Sequence, residues 1–347
     1  MTSDPIKAVQ NDDPTAVTRK KDHIELAFAS RVSYEELNQR FYYEPLLAPH
    51  PDEKNLAPFP FLNKTFHAPL WVSSMTGGTA MAATINKNLA RACGEFGMGM
   101  GLGSCRQLLN SDEFLPDFAV RKWMGDAVPL YANLGIAQLE QLIQDKQFSK
   151  ISELVKKLEA DGLMVHVNPL QEALQPEGDR FVHSSLQTIE TLLEKLDIRL
   201  IVKEVGQGMG PESLKALLQL PIEAVEFAAA GGTNFAKLEL LRSSEVHKSV
   251  FGSLAATGHT AAEMLLYVQE AVKELGEKCK VQQLIISGGI RDFLDGYYLI
   301  KKSPLPAVFG QASGFLKYAQ DDYETLQHFV QLQIQGLALA QAFLRVK

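Results

Sequence analysis

Four polar residues follow an apolar run near the middle of the chain. The run Gly162-Leu163-Met164-Val165 is typical of a buried strand, and it leads into His166, Asn168, Gln171 and Glu172. Polar side chains at the end of such a strand are costly unless they hold a ligand. A glutamate can bind Mg²⁺, which takes few protein oxygens beside phosphate oxygens, and His166 can relay a proton. A lone buried histidine is usually only hydrogen-bonded, but that interpretation must also explain its three neighbours.

Two glycine-rich strings follow the last two apolar runs of the chain. They are Gly288-Gly289-Ile290-Arg291 and Gly310-Gln311-Ala312-Ser313. Glycines let backbone N–H groups approach an anion, and Arg291 can add a charged fork. Two ordinary turns are the alternative. The strings follow the seventh and eighth predicted strands, where barrels commonly bind phosphate, and this position favours a phosphate site.

Other basic residues also lie where an anion could bind. Lys203 ends the apolar run that starts at Leu200, so it faces a phosphate, a reduced flavin ring or Glu204, or forms a salt bridge within the strand layer. Ser104 and Arg106 form a small pair of groups suited to anions. Each of these sites is ambiguous when taken alone.

A compact basic cluster near the start of the chain contains Arg19, Lys20 and His23. By composition alone, a solvated tail is the favoured interpretation of such a cluster. A helical pattern is predicted from Asp22 to Asn38. The proline-rich stretch that follows predicts an irregular approach to the core.

Bulk composition limits the class of protein. The 347 residues are 46% hydrophobic and 22% charged, with a net charge of −7, as in ordinary globular enzymes. The acidic balance and the lack of a basic tract argue against a nucleic-acid partner. Three widely spaced cysteines without a CxxC pair indicate a reducing cytoplasm. A polar N-terminus and the lack of a long apolar run predict neither a secretory signal nor a membrane span.

Eight apolar runs recur along the chain, most of them followed by a helical pattern, and each ends in a polar or glycine-rich string. This alternation predicts a parallel sheet, and eight units in about 250 residues fit a (β/α)₈ TIM barrel with its active site at the carboxyl ends of the strands. A doubly wound open sheet is the alternative, but no G-x-G-x-x-G follows the first run. We expect an N-terminal extension over residues 1–68, a barrel over residues 69–347, and a C-terminal helical cap from Tyr323 to Leu344.

Taken together, these strings resemble the type 2, flavin-dependent isopentenyl-diphosphate isomerase family. The matching strings run in family order over residues 19–313. They are Arg19-Lys20-Lys21-Asp22-His23, Met75-Thr76-Gly77-Gly78-Thr79, Gly103-Ser104-Cys105-Arg106, Asn133-Leu134-Gly135, His166-Val167-Asn168-Pro169-Leu170-Gln171-Glu172, Pro176-Glu177-Gly178-Asp179, Lys203-Glu204-Val205-Gly206, Gly231-Gly232-Thr233 and Gly288-Gly289-Ile290-Arg291. The last string alone is shared with other flavin barrels, so the specificity lies in the joint match.

The resemblance implies interconversion of isopentenyl and dimethylallyl diphosphate in isoprenoid biosynthesis, with reduced FMN, Mg²⁺ and NADPH as reductant. It also implies a small prenyl diphosphate as partner and a homo-oligomer, a tetramer or octamer. Substrate would bind Arg19, Lys20, His23, Ser104, Arg106, Asn168 and Gln171. Cofactor would bind Met75, Thr76, Gly77, Ser104, Asn133, Lys203, Thr233, Gly289, Ile290, Arg291, Ala312 and Ser313. Gln171 and His166 would be catalytic, and Glu172 would bind the metal.

Two positions depart from the family pattern, and two other functions remain open. Cys105 stands where the family usually has Gln or Met, and Ala228 stands where a flavin-contacting Ser is common. A flavin-dependent 2-hydroxy-acid oxidase shares the barrel, but it needs a His-x-x-Arg type string, and His259 is followed by Thr260-Ala261-Ala262. A barrel that binds FMN or a prenyl diphosphate without turnover is the other alternative.

Overall fold

The computed structural model describes residues 15–52, 56–74 and 80–347. Contacts divide the chain into two compact units, one with the residues up to Tyr42 together with Lys347, and one with residues 43–346. The first unit holds helix α1 (Ala16–Leu26) and a 3₁₀ turn at Tyr34–Glu36. The helix predicted from Asp22 to Asn38 was therefore wrong in position, because a capping box at Ser33 starts a separate turn.

Twelve strands lie in the described part of the chain. They are β1 (Phe41–Tyr43), β2 (Phe59–Phe61), β3 (Lys64–Phe66), β4 (Leu70–Val72), β5 (Gly99–Gly101), β6 (Leu130–Gly135), β7 (Gly162–His166), β8 (Leu200–Lys203), β9 (Ala224–Glu226), β10 (Gln283–Ser287), β11 (Ala307–Gln311) and β12 (Leu344–Val346). Strands β4 to β11 form a closed parallel barrel in sequence order, and β11 pairs back to β4 through Phe309 and Leu70. The predicted eight-stranded barrel is confirmed.

Helices follow most of the barrel strands. After α1 they are α2 (Ala80–Phe96), α3 (Leu115–Phe118), α4 (Arg121–Met124), α5 (Ile136–Gln144), α6 (Phe148–Lys157), α7 (Pro169–Leu174), α8 (Ser185–Lys195), α9 (Pro211–Leu218), α10 (Phe235–Arg242), α11 (Glu245–Ala255), α12 (Ala261–Leu275), α13 (Phe293–Lys302), α14 (Ser313–Ala319) and α15 (Tyr323–Phe343). Helix α15 packs against α2, α13 and α14, and it confirms the predicted C-terminal helix. No helix in the described ranges is long and apolar enough to cross a membrane.

The barrel interior is filled by large side chains from most of the barrel strands. Trp71, Tyr131, Met164, Ile201 and Ile285 are fully buried there in one cluster. The strands read as continuous apolar runs because both of their faces are covered, by this interior and by the outer helices. The interior is therefore a packed core.

A hairpin of β2 and β3 closes the amino-terminal end of the barrel. Its two turn residues, Leu62 and Asn63, have positive φ angles of 47° and 57°, as two-residue hairpin turns require. Phe61 and Phe66 pack into the interior cluster, and Leu62 N donates to Gln283 Oε1 at 2.8 Å. The carboxyl end of the strands is consequently the end available for a ligand. The division of the chain between residues 68 and 69 stays a prediction.

Candidate functional site

A cavity of about 380 Å³ opens at the carboxyl ends of β4 and β8 to β11. Seven of the predicted cofactor-binding residues line it. They are Lys203, Thr233, Gly289, Ile290, Arg291, Ala312 and Ser313. Met75, Thr76 and Gly77 lie outside the described residues, while Ser104 and Asn133 lie outside the lining of this cavity. The structure thus brings together cofactor candidates from four separate sequence strings.

The glycine turn after β10 fits closely against the chain that follows β9. Gly288 and Gly289 have φ angles of 90° and 71°, which side chains other than glycine rarely adopt. A Cβ atom on Gly288 would lie 2.1 Å from Ala229 O. Two bare backbone turns therefore form one wall of the cavity, and bare backbone suits the close approach of an anion.

Arg291 follows this turn and is held by the helix after it. Its Nε donates to Asp295 Oδ2 at 3.0 Å, and its Nη2 contacts Asp295 Oδ1 at 3.4 Å. The side chain is 80% exposed, whereas that of Asp295 is buried. The guanidinium has five N–H donors, so Arg291 retains donors for an anion in the cavity.

The wall beneath the turns carries a buried acid that sequence analysis missed. Glu226 at the end of β9 is fully buried, and its Oε1 accepts hydrogen bonds from Ser73 Oγ at 2.5 Å and Ser287 Oγ at 3.0 Å. Its paired position on β8 is Lys203, whose buried Nζ donates to Glu204 O at 2.7 Å. A lone acid inside the apolar string from Ala224 to Ala230 was the available signal.

His166 and Asn133 form a pair at the ends of β7 and β6. Asn133 Nδ2 donates to Leu102 O at 2.9 Å, so its Oδ1 is the acceptor for His166 Nδ1–H at 2.9 Å. Burial, helped by the charge of Lys203, lowers the pKa of His166 to about 3. The ring is therefore neutral at physiological pH, and its Nε2 is a proton acceptor.

The predicted Gln171 and Glu172 lie in one hydrogen-bonded network with Asn168. Asn168 Nδ2 donates to Gln171 Oε1 at 3.1 Å and to Glu172 Oε1 at 3.0 Å. Gln171 Nε2 donates to Glu239 Oε1 on α10 at 3.2 Å. Glu239 is buried and forms an ion pair with Arg242 at 2.6 Å. Glu239 was also missed, because nothing in its local sequence sets it apart from a helix-surface acid.

Asp179 links this network to Arg106. Asp179 N donates to Glu172 Oε2 at 2.8 Å, and its carboxylate lies 3.0 Å from Arg106 Nη1. Cys105 N donates to Asn133 O at 2.8 Å, which anchors the segment that carries Arg106. The structure therefore brings Arg106, Asn168, Gln171 and Glu172 into one connected group. Ser104 is exposed at the start of the same segment.

The remaining predicted substrate-binding residues lie on α1. Arg19, Lys20 and His23 are exposed on α1 in the first unit, where Arg19 and His23 share a face because they are four residues apart.

Burial raises the pKa of the Cys105 thiol to about 12, so this residue is a neutral, apolar part of the core. Ala228 lines the cavity with a positive φ of 44°, and its N donates to Ser287 Oγ at 3.0 Å.

Comparison with solved structures supports the fold. The chain aligns with a flavocytochrome b2 variant with sulfite bound at 15% identity and a TM-score of 0.58, over 92% of this chain and 78% of that one. It aligns with a mandelate oxidase variant at 11% identity and a TM-score of 0.54, over 89% of each chain. At these identities the likeness concerns the fold alone.

Comparison with curated sequences identifies the family. No family model matches the chain. The chain is 33% identical over 328 residues to the isopentenyl-diphosphate delta-isomerase of Rickettsia felis, covering 93% of this chain and 91% of the relative. It is also 33% identical over 330 residues to the enzyme of that name from Rickettsia africae, covering 93% and 92%. The chain therefore belongs to the isopentenyl-diphosphate delta-isomerase family of enzymes.

Proposed function

We propose that the chain interconverts isopentenyl and dimethylallyl diphosphate with reduced FMN at the carboxyl end of the barrel. The observation that carries the proposal is the cavity itself, since the glycine turns, Lys203 and Ser313 all line it. The connected group of Arg106, Asn168, Gln171 and Glu172 follows β5 and β7 at the same end of the barrel and would supply further polar contacts. Two of the similar solved structures are of a mandelate oxidase variant with an FMN adduct.

The residues of the cavity fit FMN. Its phosphate would be held by backbone N–H groups of Gly289 and Ile290, by Arg291, and by Ala312 and Ser313. Lys203 and Thr233 would contact the ring and the ribityl chain, with Asn133, Ser104, Met75, Thr76 and Gly77 as further predicted contacts. When bound and reduced, FMN would supply an electron-rich ring that stabilises positive charge on the substrate and exchanges a proton with it.

Gln171 and His166 would act on the reacting carbons. Both ends of the Gln171 amide are held, by Asn168 and by Glu239, so its second N–H has a fixed direction. His166 is neutral, and its Nδ1–H is held by Asn133. A neutral ring beside the substrate adds no positive charge where positive charge develops, and its Nε2 can accept a proton.

Glu172 and Asn168 fit Mg²⁺ bound with a diphosphate. Asn168 Oδ1 is buried and has no hydrogen-bond partner in the described ranges, and Asn168 Nδ2 holds Glu172 Oε1 beside it. The described residues contain no group of three or more His, Cys, Asp or Glu that could hold a metal. The two oxygens of Asn168 and Glu172 suit Mg²⁺, because this ion takes one or two protein oxygens and completes its shell with phosphate and water.

The loop from Gln175 to Arg180 would exclude water from the reaction. Arg180 Nη1 donates to Glu172 O at 2.6 Å, and Glu177 forms an ion pair with Arg242 at 3.0 Å. These contacts tie the loop to α7 and α10. Water must be kept away because a carbocation-like centre would otherwise be captured by it. Arg19, Lys20 and His23 would bind the diphosphate, as the family resemblance implies.

The proposal includes a cytoplasmic location and a homo-oligomer, either a tetramer or an octamer. NADPH would reduce the flavin once and serve many turnovers, because an isomerisation conserves electrons. Light scattering coupled to size-exclusion chromatography measures the oligomeric state. Subcellular fractionation of the source cells measures the location.

An anaerobic assay with FMN, NADPH, Mg²⁺ and isopentenyl diphosphate tests the function. We expect dimethylallyl diphosphate to form in large excess over the NADPH consumed. NADPH consumption in proportion to product would instead indicate an oxidoreductase. A flavin-loaded protein without product would indicate a binding protein, and both outcomes would contradict the proposal.

A further inference from the structure

Glu226 is a buried acid in the cavity wall that the proposed function leaves without a role. Its side chain is fully buried, and Oε1 accepts both hydroxyl hydrogen bonds, from Ser73 and Ser287. Oε2 has no hydrogen-bond partner in the described part of the chain. A buried carboxylate with an unpaired oxygen is costly unless a nearby cation compensates its charge. A basic group in the same wall would offset the cost of burying Glu226.

Lys203 and Arg291 are the basic residues among the described residues that line the cavity. Arg291 is largely exposed and forms an ion pair with Asp295. Lys203 is buried and is paired with Glu226 in the register of β8 and β9. Side chains at paired positions of neighbouring parallel strands project from the same face of the sheet. Lys203 is therefore the buried basic residue of the cavity lining that shares a barrel face with Glu226.

The two charged groups do not form a close ion pair in this structure. Lys203 Nζ donates to the backbone oxygen of Glu204 at 2.7 Å, which holds the ammonium group in the cavity wall. Glu226 is held in turn by the two serine hydroxyls. The lysine and the acid are thus fixed separately, and the net charge of the wall depends on both.

We propose that Glu226 is a positioning residue that lowers the reduction potential of the bound flavin by offsetting the charge of Lys203. The inference rests on the proposed function, because it takes the cavity to be the flavin site. A lysine beside the flavin stabilises the negative charge of the reduced ring. A carboxylate in the same cavity wall would oppose that stabilisation, and the hydrogen bonds from Ser73 and Ser287 would partly offset the charge of the carboxylate.

The reduction potential of the FMN-loaded full chain tests the inference. Glu226→Gln keeps the size of the side chain and removes its charge. We expect its potential to be higher, with the preference for reduced over oxidised FMN raised by roughly tenfold, the order expected for one charge in a partly buried site. The potential is measured by reductive titration against a reference dye, and the separate affinities for oxidised and reduced FMN must give the same ratio.

A second variant should shift the reduction potential in the opposite direction. It also tests the inference if Glu226→Gln does not fold. Ser73→Ala removes one hydroxyl donor and keeps the carboxylate, so we expect a lower potential than in the parent protein. Glu140→Gln is the matched control, because Glu140 is a buried acid that binds the backbone of Val182 and His183 and does not line the cavity. Its potential should equal that of the parent.

The outcomes separate this inference from the proposed function. Equal potentials in the parent, in Glu226→Gln and in Ser73→Ala, with flavin bound, would overturn the role of Glu226 and leave the function intact. If Glu226→Gln does not hold flavin, an unchanged potential in Ser73→Ala overturns the role alone. A parent protein that binds no FMN contradicts the proposed function, and the inference with it.

Discussion

Gln171 Nε2 donates to Glu239 Oε1 at 3.2 Å and so joins α7 to α10. The two residues are 68 positions apart in the sequence. Because Asn168 holds the other end of the same amide, Gln171 is oriented by two neighbours and cannot rotate without breaking a hydrogen bond. The direction of its second N–H is therefore set by the network as a whole.

Replacing Gln171 by Ala should slow turnover while the cofactor site stays intact. We expect kcat to fall by about 10²-fold or more, an order typical of lost proton-transfer groups. FMN content, Mg²⁺ dependence and thermal stability should stay near those of the parent. Steady-state kinetics of a flavin-loaded preparation is the measurement. A parental rate in this variant would show that Gln171 takes no part in the chemistry.

Replacing Glu172 by Gln should change the metal requirement. We expect the Mg²⁺ concentration for half-maximal turnover to rise by roughly tenfold or more, because a neutral amide binds Mg²⁺ more weakly than a carboxylate. Glu239→Gln is the control, since it removes a nearby buried acid and should slow turnover without moving the Mg²⁺ requirement. The same Mg²⁺ titration in both variants would contradict the assignment of the metal to Glu172.

Replacing Arg291 by Ala should weaken FMN retention. The loss of a charge-assisted hydrogen bond to phosphate should raise the FMN dissociation constant by about tenfold. Flavin fluorescence after dialysis measures the retained fraction. Arg199→Ala provides the comparison, because Arg199 faces Glu223 and does not line the cavity. Equal flavin content in the two variants would show that Arg291 does not hold the phosphate.

The neutral state of His166 should make stability depend on pH. The pKa of His166 is lowered from 6.5 to about 3 by burial and by Lys203, so the unfolded chain binds a proton that the folded chain does not. Its contribution to the free energy of unfolding is complete above pH 6.5 and is lost as pH falls towards 3. In His166→Gln, the free energy of unfolding from urea curves should lose the part of its pH dependence that corresponds to one proton between pH 3 and 6.5. Parallel pH profiles for variant and parent would contradict a neutral His166.

The sequence predicted the barrel well because its strands carry a strong local signal. Each is a short apolar run that ends in polar or glycine-rich residues, such as Val165 before His166 and Ile286 before Gly288. Parallel strands in a barrel bring those ends together whatever the loops do. That geometry explains why Arg106, after β5, and Glu172, after β7, lie at the same end of the barrel.

The partners of these residues were beyond prediction because they depend on tertiary contacts. Glu239 faces Gln171 only because α10 packs against α7. Glu226 is held by Ser73, which precedes it by 153 residues. The helix near the start shifted to Ala16–Leu26 because its apolar residues, such as Ile24, are exposed and no burial reinforces the spacing.

The pairing of β11 with β4 has a consequence for how the chain is made. Every other barrel pair joins strands that are neighbours in sequence, whereas Phe309 must find Leu70 across most of the chain. During synthesis β4 emerges early and keeps an unpaired edge until β11 has left the ribosome. Closure of the ring is thus a late, long-range step, and shortening the nascent chain before β11 leaves two open edges prone to aggregation.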